Sequence, residues 1–516
     1  MRDPEPQVAG LPLLMTVFVA AVCGLVYELL AGTLSSYLLG DSVTQFSLVI
    51  GLFLTSMGVG SYLSKFIQDR LLERLIQIEF VVGLIGGSMA ALGFAAFAYT
   101  SAYIPVLVGL VCLIGIFVGM EIPLVIRILR ASRQLDVTLA QVMSLDYIGA
   151  LLASLAFPFL ILPELGLVRG GFLIGLLNVL IGLYLLYRVR DPSRSLRSLR
   201  ATGWTLSVCL FVGVILSNYA TNHFEDQLYQ DEIIYAETSN AQRIIVTRWR
   251  NDIRLYLNGH LQFSTADEYR YHEALVHPAM LSPGPRRKVL ILGGGDGMAA
   301  REALSFSGVE SIDLVDLDPA VTNLFTDNAL LANLNSNALS DPRVQVINGD
   351  ALSFLEESTA LYDVIIIDLP DPSDIQLGKL YSKAFYDLVQ RRLGPQGRVG
   401  IQATSPYRAR KAFWTIVHTV EASSTGNPEN PKTLQVNPYH TMVPSFGTWG
   451  FILASRYPVD VNTLKSKPEA RFLNDQILPG LFDFPSDMAR IEAPVSSLND
   501  PVVVTLYRDG YHQYFD

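Results

Sequence analysis

Residues 288–297, KVLILGGGDG, join a buried apolar strand to a glycine-rich turn. The chain then repeats a pattern of strand, turn and helix, and further strands are predicted at 311–315, 344–347, 363–367 and 398–403. Strands that alternate with helices predict an α/β domain with a mostly parallel, doubly wound sheet. Such sheets bind ligands at the carboxyl ends of their strands, and the glycine-rich turn follows one of these ends.

The segment before this domain has a different pattern. After residue 220, continuous apolar runs give way to alternation, and strands are predicted at 232–237, 243–248 and 253–257. Asn258-Gly259 is a strong signal for a hairpin turn, and a helix is predicted over 267–280. We therefore expect a small β-hairpin subdomain over 221–285, followed by the larger domain over 286–516.

The first 220 residues are dominated by apolar runs. The chain of 516 residues is 50% hydrophobic and 17% charged, and only 13 of its 38 Lys and Arg residues precede residue 203. A helix needs about 20 apolar residues to cross the hydrocarbon core of a bilayer. Seven such spans are predicted, at 12–37, 44–64, 76–99, 103–126, 139–162, 165–187 and 203–220. Residues 1–220 are thus expected to form a multi-pass α-helical membrane domain, with a tight hairpin at Pro163 and Glu164 between the fifth and sixth spans.

Positive charge is concentrated in three of the loops between these spans. The clusters are Lys65, Arg70 and Arg74; Arg127, Arg130 and Arg133; and Arg188, Arg190, Arg194, Arg197 and Arg200. The positive-inside rule places these loops in the cytoplasm. With seven spans, the amino terminus is then inside and the soluble part of the chain outside.

Three acidic residues, Glu28, Glu121 and Asp146, fall within or at the ends of the spans. One interpretation is that they lie near helix ends or pair inside the bundle. The other is that they mark a path for cations, because a charge in mid-membrane costs about 2.5–3.5 kcal/mol on insertion scales. The sequence leaves both open.

Composition excludes several functions. The net charge of −10 argues against nucleic acid, because proteins that bind it usually carry a clustered basic face. All three cysteines, Cys23, Cys112 and Cys209, lie in apolar spans. The soluble part therefore offers no disulfide framework, no zinc site of the CxxC type and no thiol nucleophile.

The acidic residues at successive strand ends predict a nucleoside site. Asp316 follows Gly293 by 23 residues, close to the spacing of a carboxylate that binds ribose hydroxyls, and Asp350 ends a third strand. GGGDG lacks the GxGxxG spacing that holds a pyrophosphate, and Asp296 would repel one. An S-adenosyl compound, whose sulfonium nucleoside has no phosphate, is thus favoured.

These motifs together resemble the spermidine synthase family of polyamine aminopropyltransferases. The resemblance covers residues 230–456 and rests on LYLNGHLQFSTADEYRYHEALVHPAM, VLILGGGDG, VDLDP, NGDAL, DVIIIDLPDP, LYSKAFY and IQATSP, which occur in the family's order. The apolar half is similar to that of the membrane-spanning bacterial form. The resemblance implies a Rossmann-like S-adenosyl-dependent transferase domain. It also implies transfer of an aminopropyl group from decarboxylated S-adenosylmethionine to putrescine, giving spermidine and methylthioadenosine without metal or cofactor.

The resemblance also implies a role for each matching residue. Asp368 is expected to be the general base, Asp371 to hold the diamine, Tyr271 to orient the attacking nitrogen, and Asp296 to bind the amino group of the aminopropyl chain. Gln242 and Gln262 are expected to line the donor site, with His272 beside them. The expected nucleoside-binding residues are Gly293, Gly295, Asp316, Asp350 and Ala351.

Each of these residues also has a structural interpretation. Asp368 and Asp371 could cap the helix near Leu380 or form a turn, and Asp350 could cap the helix that starts at 351. Tyr271 could pack in the core, and His272 could lie on a helix surface without a role. Segment 370–380 is expected to be a loop that closes over the site.

The sequence departs from the family pattern on the acceptor side. Leu369 and Pro370 replace serines between the two aspartates, and Phe446 stands where the family usually has a tyrosine. These departures put the identity of the acceptor in doubt more than that of the donor.

The leading hypothesis is therefore a polyamine aminopropyltransferase in the bacterial inner membrane. The alternatives are an S-adenosylmethionine methyltransferase, and a polyamine transporter or sensor with a non-catalytic transferase-like domain. Loop charge places the catalytic domain outside, whereas the donor is made in the cytoplasm, and on that ground we favour the cytoplasmic side. Soluble family members commonly form dimers or tetramers, so the resemblance also implies a homo-oligomer.

Overall fold

The protein was studied as a computed structural model. The structure describes residues 10–39, 42–100, 102–130, 135–189, 194–229, 231–239, 241–425 and 433–515. Arg133 and Arg190, two of the positively charged loop residues, lie outside the described residues. The chain divides into two compact units, Met1–Glu232 and Ile233–Asp516. This boundary lies about twelve residues later in the chain than the one expected after residue 220, because the last helix of the first unit continues to Tyr229.

The first unit is helical. Its α-helices are α1 (Gly10–Leu39), α2 (Ser42–Leu63), α3 (Leu71–Tyr99), α4 (Tyr103–Arg130), α5 (Leu135–Ala156), α6 (Leu162–Arg188) and α7 (Arg194–Tyr229). Within the described ranges, six helical segments are long and apolar enough to cross a membrane. Six are found instead of the seven predicted because the fifth and sixth predicted spans fall in one segment of 53 residues, Asp136–Arg188, whose backbone leaves the helical conformation only at Gly166.

The tight hairpin predicted at Pro163 and Glu164 is not formed. The chain stays helical through both residues, which follow a π-helical turn at Phe157–Ile161. The helix breaks instead at Gly166, whose φ of 69° favours glycine. Helix α5 packs on α1, and α6 packs on α3, α7 and α1, whereas α5 and α6 make almost no contact with each other.

Helices α3 and α6 approach closely through glycines. A methyl group added at Gly175 would lie 2.4 Å from the carbonyl oxygen of Gly83. Small residues at helix contacts allow backbones to pack this tightly, which is common between helices in membranes.

The second unit begins with a four-stranded sheet in the order β1 (Glu232–Thr238), β2 (Arg243–Trp249), β3 (Asp252–Leu257) and β4 (His260–Ser264). Strand β3 pairs antiparallel with β2 and with β4. Asn258 and Gly259 both have positive φ, as a tight hairpin turn requires. This subdomain confirms the strands and the turn that the sequence predicted.

The larger sheet has seven strands: β5 (Lys288–Gly293), β6 (Ser311–Asp316), β7 (Val344–Asn348), β8 (Tyr362–Asp368), β9 (Leu393–Gln402), β10 (Gln435–Val443) and β11 (Gly447–Ser455). Their order is β10-β11-β9-β8-β5-β6-β7. The five strands from β9 to β7 are parallel, and β11 and β10 are added antiparallel. The parallel part agrees with the prediction, whereas the β10–β11 hairpin was not predicted.

Helices cover both faces of this sheet. They are α8 (Glu268–Leu281), α9 (Met298–Leu304), α10 (Pro319–Asp327), α11 (Ala329–Leu334), α12 (Ala351–Glu357), α13 (Ile375–Gly378), α14 (Lys383–Arg391), α15 (Arg410–Ala422), α16 (Ile477–Gly480) and α17 (Val502–Phe515). In β5, Val289 and Ile291 pack in one hydrophobic core and Leu290 and Leu292 in the other. Burial on both faces explains why this strand is a continuous apolar run.

Candidate active site

Three parallel strands end in acidic residues at one edge of the large sheet. Gly293 at the end of β5 pairs with Asp368 at the end of β8, and Asp316 at the end of β6 pairs with Asn348 of β7. Asp350 follows β7 directly. The carboxyl edge of the sheet thus collects the aspartates of three separate motifs, as expected for a ligand site in such a fold.

The glycine-rich turn lies against Asp316. The N–H of Gly295 donates to Oδ2 of Asp316 at 3.0 Å, and the N–H of Asp318 donates to Oδ1 at 2.9 Å. A Cβ at Gly295 would lie 2.7 Å from the same carboxylate, so the close approach needs glycine. Burial raises the pKa of Asp316 to about 6.

Tyr271 and Asp368 form the centre of the site. The hydroxyl of Tyr271, on α8, donates to Oδ1 of Asp368 at 2.7 Å. Burial raises the pKa of Asp368 above its usual range, against the opposing effects of His272 and of the Tyr271 hydrogen bond. The ring of Tyr271 packs on Phe451 at 5.3 Å and on Phe446 at 6.0 Å. The ring of Tyr271 therefore packs in the core, while its hydroxyl lies in the site and fixes the position of Asp368.

His272 is buried rather than on a helix surface. Only 2% of it is exposed, and its Nδ1 lies 2.9 Å from Oε2 of Glu268. Burial alone would lower the pKa of His272, but the hydrogen bond and charge of Glu268 raise it to about 9. Arg301 also donates to Glu268, at 2.9 and 3.1 Å. His272 is thus positively charged near neutral pH, and neither Glu268 nor Arg301 was singled out from the sequence.

Asp296 lies in the glycine-rich turn and is held by backbone contacts. Its Oδ1 accepts from the N–H of Met298 at 2.9 Å, and its carbonyl oxygen accepts from Nδ2 of Asn335 at 2.8 Å. Burial raises the pKa of Asp296 to about 6, although the charge of His272 opposes the rise. The carboxylate therefore has a second oxygen that can accept from a cationic ligand.

Asp371 has a set of partners that the sequence did not identify. Thr404 donates to its Oδ2 at 3.1 Å, Nε2 of Gln402 lies 3.5 Å from its Oδ1, and the hydroxyl of Tyr507 on α17 also binds it. Burial raises the pKa of Asp371 to about 6. Gln402 and Thr404 are part of one of the motifs, IQATSP, which could have indicated them, whereas Tyr507 lies outside every motif.

Asp350 has the contacts of a helix cap. Its Oδ1 accepts from the N–H of Ser353 in the first turn of α12, and its Oδ2 pairs with Nζ of Lys379 at 2.6 Å. Ala351 is the first residue of that helix and is buried. Capping and ligand binding do not exclude each other, because a carboxylate has lone pairs for several partners.

The two glutamines differ in their surroundings. Nε2 of Gln242 donates to Oδ2 of Asp318 at 3.0 Å, and Asp318 in turn donates its N–H to Asp316. Nε2 of Gln262, in β4, donates to the carbonyl oxygen of His260 at 3.0 Å. Gln242 is thereby linked through Asp318 to Asp316, and the roles of both glutamines stay predictions.

Segment 370–380 contains a short helix rather than a simple loop. The Asp374 side chain accepts from the N–H of Leu377 and so caps α13. Nε of Arg508, on α17, donates to the carbonyl oxygen of Ser373 at 3.1 Å. A Cβ at Gly378 would lie 2.6 Å from Val504 of the same helix. The segment is therefore packed under α17, while its closing motion stays a prediction.

The described residues contain no group of three or more His, Cys, Asp or Glu side chains that could hold a metal ion. The expectation that the reaction needs neither metal nor cofactor stays a prediction.

Comparisons with known proteins give the family. The family model described as "Spermine/spermidine synthase domain" matches residues 268–465. A polyamine aminopropyltransferase of Leptospira interrogans is 46% identical over 98% of this chain and 99% of its own. The polyamine aminopropyltransferase of Oceanobacillus iheyensis is 42% identical over 96% of this chain and 96% of its own. That of Mycobacterium tuberculosis is 39% identical over 97% of this chain and 96% of its own.

Among solved structures, a spermidine synthase in complex with the transition state analogue AdoDATO is 25% identical, with a TM-score of 0.44, over 49% of this chain and 86% of its own. The curated relatives align with the helical unit as well as with the α/β unit. Since relatives at 39–46% identity match nearly the whole chain, the protein belongs to the polyamine aminopropyltransferase family and is an enzyme that transfers an aminopropyl group.

Proposed function

We propose that this enzyme transfers the aminopropyl group of decarboxylated S-adenosylmethionine to putrescine, giving spermidine and methylthioadenosine. The observation that carries the proposal is the 2.7 Å hydrogen bond between Tyr271 and Asp368, with the half-buried carboxylates of Asp296 and Asp371 in the same unit. Both the donor and the diamine are cations, so binding them needs several carboxylates that are shielded from bulk water. The carboxyl edge of the sheet supplies them.

The donor is bound through its nucleoside and its amino group. Gly293, Gly295 and Ala351 border the nucleoside, Asp316 accepts from the ribose hydroxyls, and Asp350 contacts the adenine. Asp296 binds the ammonium of the aminopropyl chain. The same carboxylate repels the carboxylate of intact S-adenosylmethionine, which supports preference for the decarboxylated donor.

The acceptor must lose a proton before it reacts. An alkylammonium has a pKa near that of lysine, about 10.4, so the amine reaches the site protonated. Asp371 holds the diamine, Tyr271 orients the attacking nitrogen, and Asp368 takes its proton. The nitrogen then attacks the methylene carbon next to sulfur, the C–N bond forms, and the C–S bond breaks with its electron pair left on sulfur. The leaving group is the neutral thioether methylthioadenosine.

The alternatives from the sequence are less well supported. A methyltransferase would have to accept a carboxylate beside Asp296, and a non-catalytic transporter or sensor has no need of the buried Tyr271–Asp368 pair. Competition between intact and decarboxylated donor separates the first from the proposal, and turnover separates the second.

Product formation tests the whole proposal. Purified protein is given decarboxylated S-adenosylmethionine with putrescine, cadaverine, 1,3-diaminopropane or spermidine, and methylthioadenosine and the new polyamine are measured together. We expect both in equal amounts, with putrescine giving the highest kcat/KM. Phe446 packs beside Tyr271 where the family usually has a tyrosine, so a different preferred amine would correct the acceptor. Donor binding without any alkylated amine would refute the catalytic proposal.

The acid limb of the pH profile is predicted from Asp296 and Asp371. Both carboxyls have a pKa raised to about 6 in the free enzyme, and both must be ionised to bind cations. We therefore expect kcat/KM to be level above about pH 7 and to fall as pH decreases through about 6, because kcat/KM reports the free enzyme. A limb centred near pH 4, the usual range of an exposed carboxyl, would contradict this assignment.

Tyr507→Phe tests the contribution of the carboxyl-terminal helix. The variant removes a hydroxyl that binds Asp371 but keeps the ring, so Asp371 loses one hydrogen bond that fixes it. A hydrogen bond to a charged group contributes about 1.5–3 kcal/mol, so we expect KM for the diamine to rise about tenfold or more. KM for the donor and kcat should change less than threefold. An equal loss on donor and diamine would instead indicate general damage to the fold.

We further propose that the helical unit spans the bacterial inner membrane and that the catalytic unit faces the cytoplasm. The apolar segments and the glycine contact between α3 and α6 support the first statement, and the cytoplasmic origin of the donor supports the second. A reporter fused after Asp516 that is active only in the periplasm would reverse the orientation. Self-association of the kind common among soluble relatives stays a prediction, which light scattering of the purified protein tests.

A further inference from the structure

The helical unit contains a small cavity lined by three acidic residues. Its volume is about 30 Å³, and Glu79, Glu121 and Asp146 line it together with apolar side chains that include Ala20 and Met57. The sequence singled out Glu121 and Asp146 but not Glu79. Glu28, the third acidic residue singled out, does not line the cavity.

Two of these carboxylates are buried with unpaired oxygens. Glu79 is 0% exposed and Glu121 6% exposed, and Oε1 of each has no hydrogen-bond partner. Nδ2 of Asn178 donates to Oε2 and to the carbonyl oxygen of Glu79, both at 2.8 Å, while its own Oδ1 is unpaired. The hydroxyl of Tyr27 is buried without a partner as well. Of these residues, only Glu79 and Glu121 line the cavity, and their unpaired oxygens can accept a hydrogen bond or coordinate a cation.

The buried carboxylates of Glu79 and Glu121 have no positively charged partner, and a bound cation would supply one. Burying a carboxylate is strongly unfavourable unless it is paired, and no ion pair of the described helices involves Glu79 or Glu121. Asn178 fixes one carboxylate in place, which also lowers the cost of holding a ligand there. An ionisable residue inside a membrane-spanning bundle most often belongs to an ion or substrate path.

The size of the cavity limits the ligand. A volume of about 30 Å³ holds one water molecule or one ammonium group, and not a whole polyamine. The described residues contain no cluster of three ligands suited to a divalent metal. We propose that this cavity binds one small monovalent cation, which is an inorganic ion such as Na⁺ or the primary ammonium end of an alkylamine. This site is separate from the catalytic residues and does not depend on their assignment.

Cation binding by the full chain in detergent micelles tests the proposal. Calorimetric titrations with sodium chloride, propylammonium chloride and choline chloride distinguish an inorganic ion, a primary ammonium and a cation too bulky for the cavity. We expect one saturable site for sodium or propylammonium and none for choline. Glu79→Gln and Glu121→Gln should weaken that binding at least tenfold, while the matched control Glu28→Gln, which changes a carboxylate outside the cavity, should leave it unchanged.

Two further measurements keep the test decisive. Aminopropyl transfer should stay within twofold of the wild type in all these variants, which shows that the catalytic unit is folded, and an unchanged helix content by circular dichroism shows the same for the helical unit. Ala20→Val fills part of the cavity without removing charge and should also weaken binding at least tenfold. The proposal is overturned if no cation binds saturably, if choline binds as well as sodium and propylammonium, or if Glu28→Gln weakens binding as much as the two cavity variants.

Discussion

Asp368→Asn is expected to lower kcat by about 10²- to 10⁴-fold, the usual contribution of a general base. The asparagine keeps the shape of the side chain, and its Oδ1 can still accept from the hydroxyl of Tyr271, which lies 2.7 Å away in the wild type. The change therefore removes the proton acceptor with little effect on the surrounding packing. Binding of the donor, measured by calorimetry, should change less than threefold.

High pH provides an internal control for this variant. A free diamine loses its own proton near pH 10, so the rate of Asp368→Asn should rise about tenfold per pH unit below that value. The wild type should vary much less between pH 7 and 9, because Asp368 accepts the proton there. Single-turnover measurements avoid any limit from product release. A variant that keeps more than a tenth of the wild-type rate at pH 7.5 would assign the base to another group.

The sequence predicted the parts of the fold that follow from local patterns. Alternating strands and helices gave the five parallel strands, and Asn258-Gly259 gave the β3–β4 turn. The β10–β11 hairpin was missed because its strands pair only with each other and with β9, far away in the chain. The hairpin predicted at Pro163 and Glu164 was wrong because the backbone stays helical through both residues, and the helical conformation is interrupted at Gly166 instead.

The sequence predicted those site residues that lie at the end of a strand within a recognisable motif. Asp316 and Asp368 end strands, so pattern alone brings them to one edge of the sheet. The partners of those residues were not predictable in the same way. Tyr507 reaches Asp371 from a helix more than 130 positions later in the chain, and Glu268 becomes important only because folding brings Arg301 against it. Contacts of this kind depend on tertiary packing, which local spacing does not encode.

Asp296→Asn is expected to raise KM for decarboxylated S-adenosylmethionine by about 10²- to 10³-fold. Removing one partner of a buried ion pair costs about 3–5 kcal/mol, because the other charge stays buried without compensation. The asparagine oxygen can still accept from the N–H of Met298, so the turn should keep its conformation. Asp341→Asn is the matched control, because it removes an equal charge from a surface residue that pairs with Arg343, and it should leave KM unchanged.

Donor selectivity separates this role from simple damage to the turn. If Asp296 binds the ammonium and repels a carboxylate, the variant should lose affinity for the decarboxylated donor while its affinity for intact S-adenosylmethionine stays constant or increases. The acid limb of kcat/KM should also become shallower, because one of the two cation-binding carboxyls, Asp296, is gone and Asp371 remains. A distorted turn would instead weaken both donors equally and leave the shape of the limb unchanged. That result would mean that Asp296 serves only to cap the turn, and that another residue selects the decarboxylated donor.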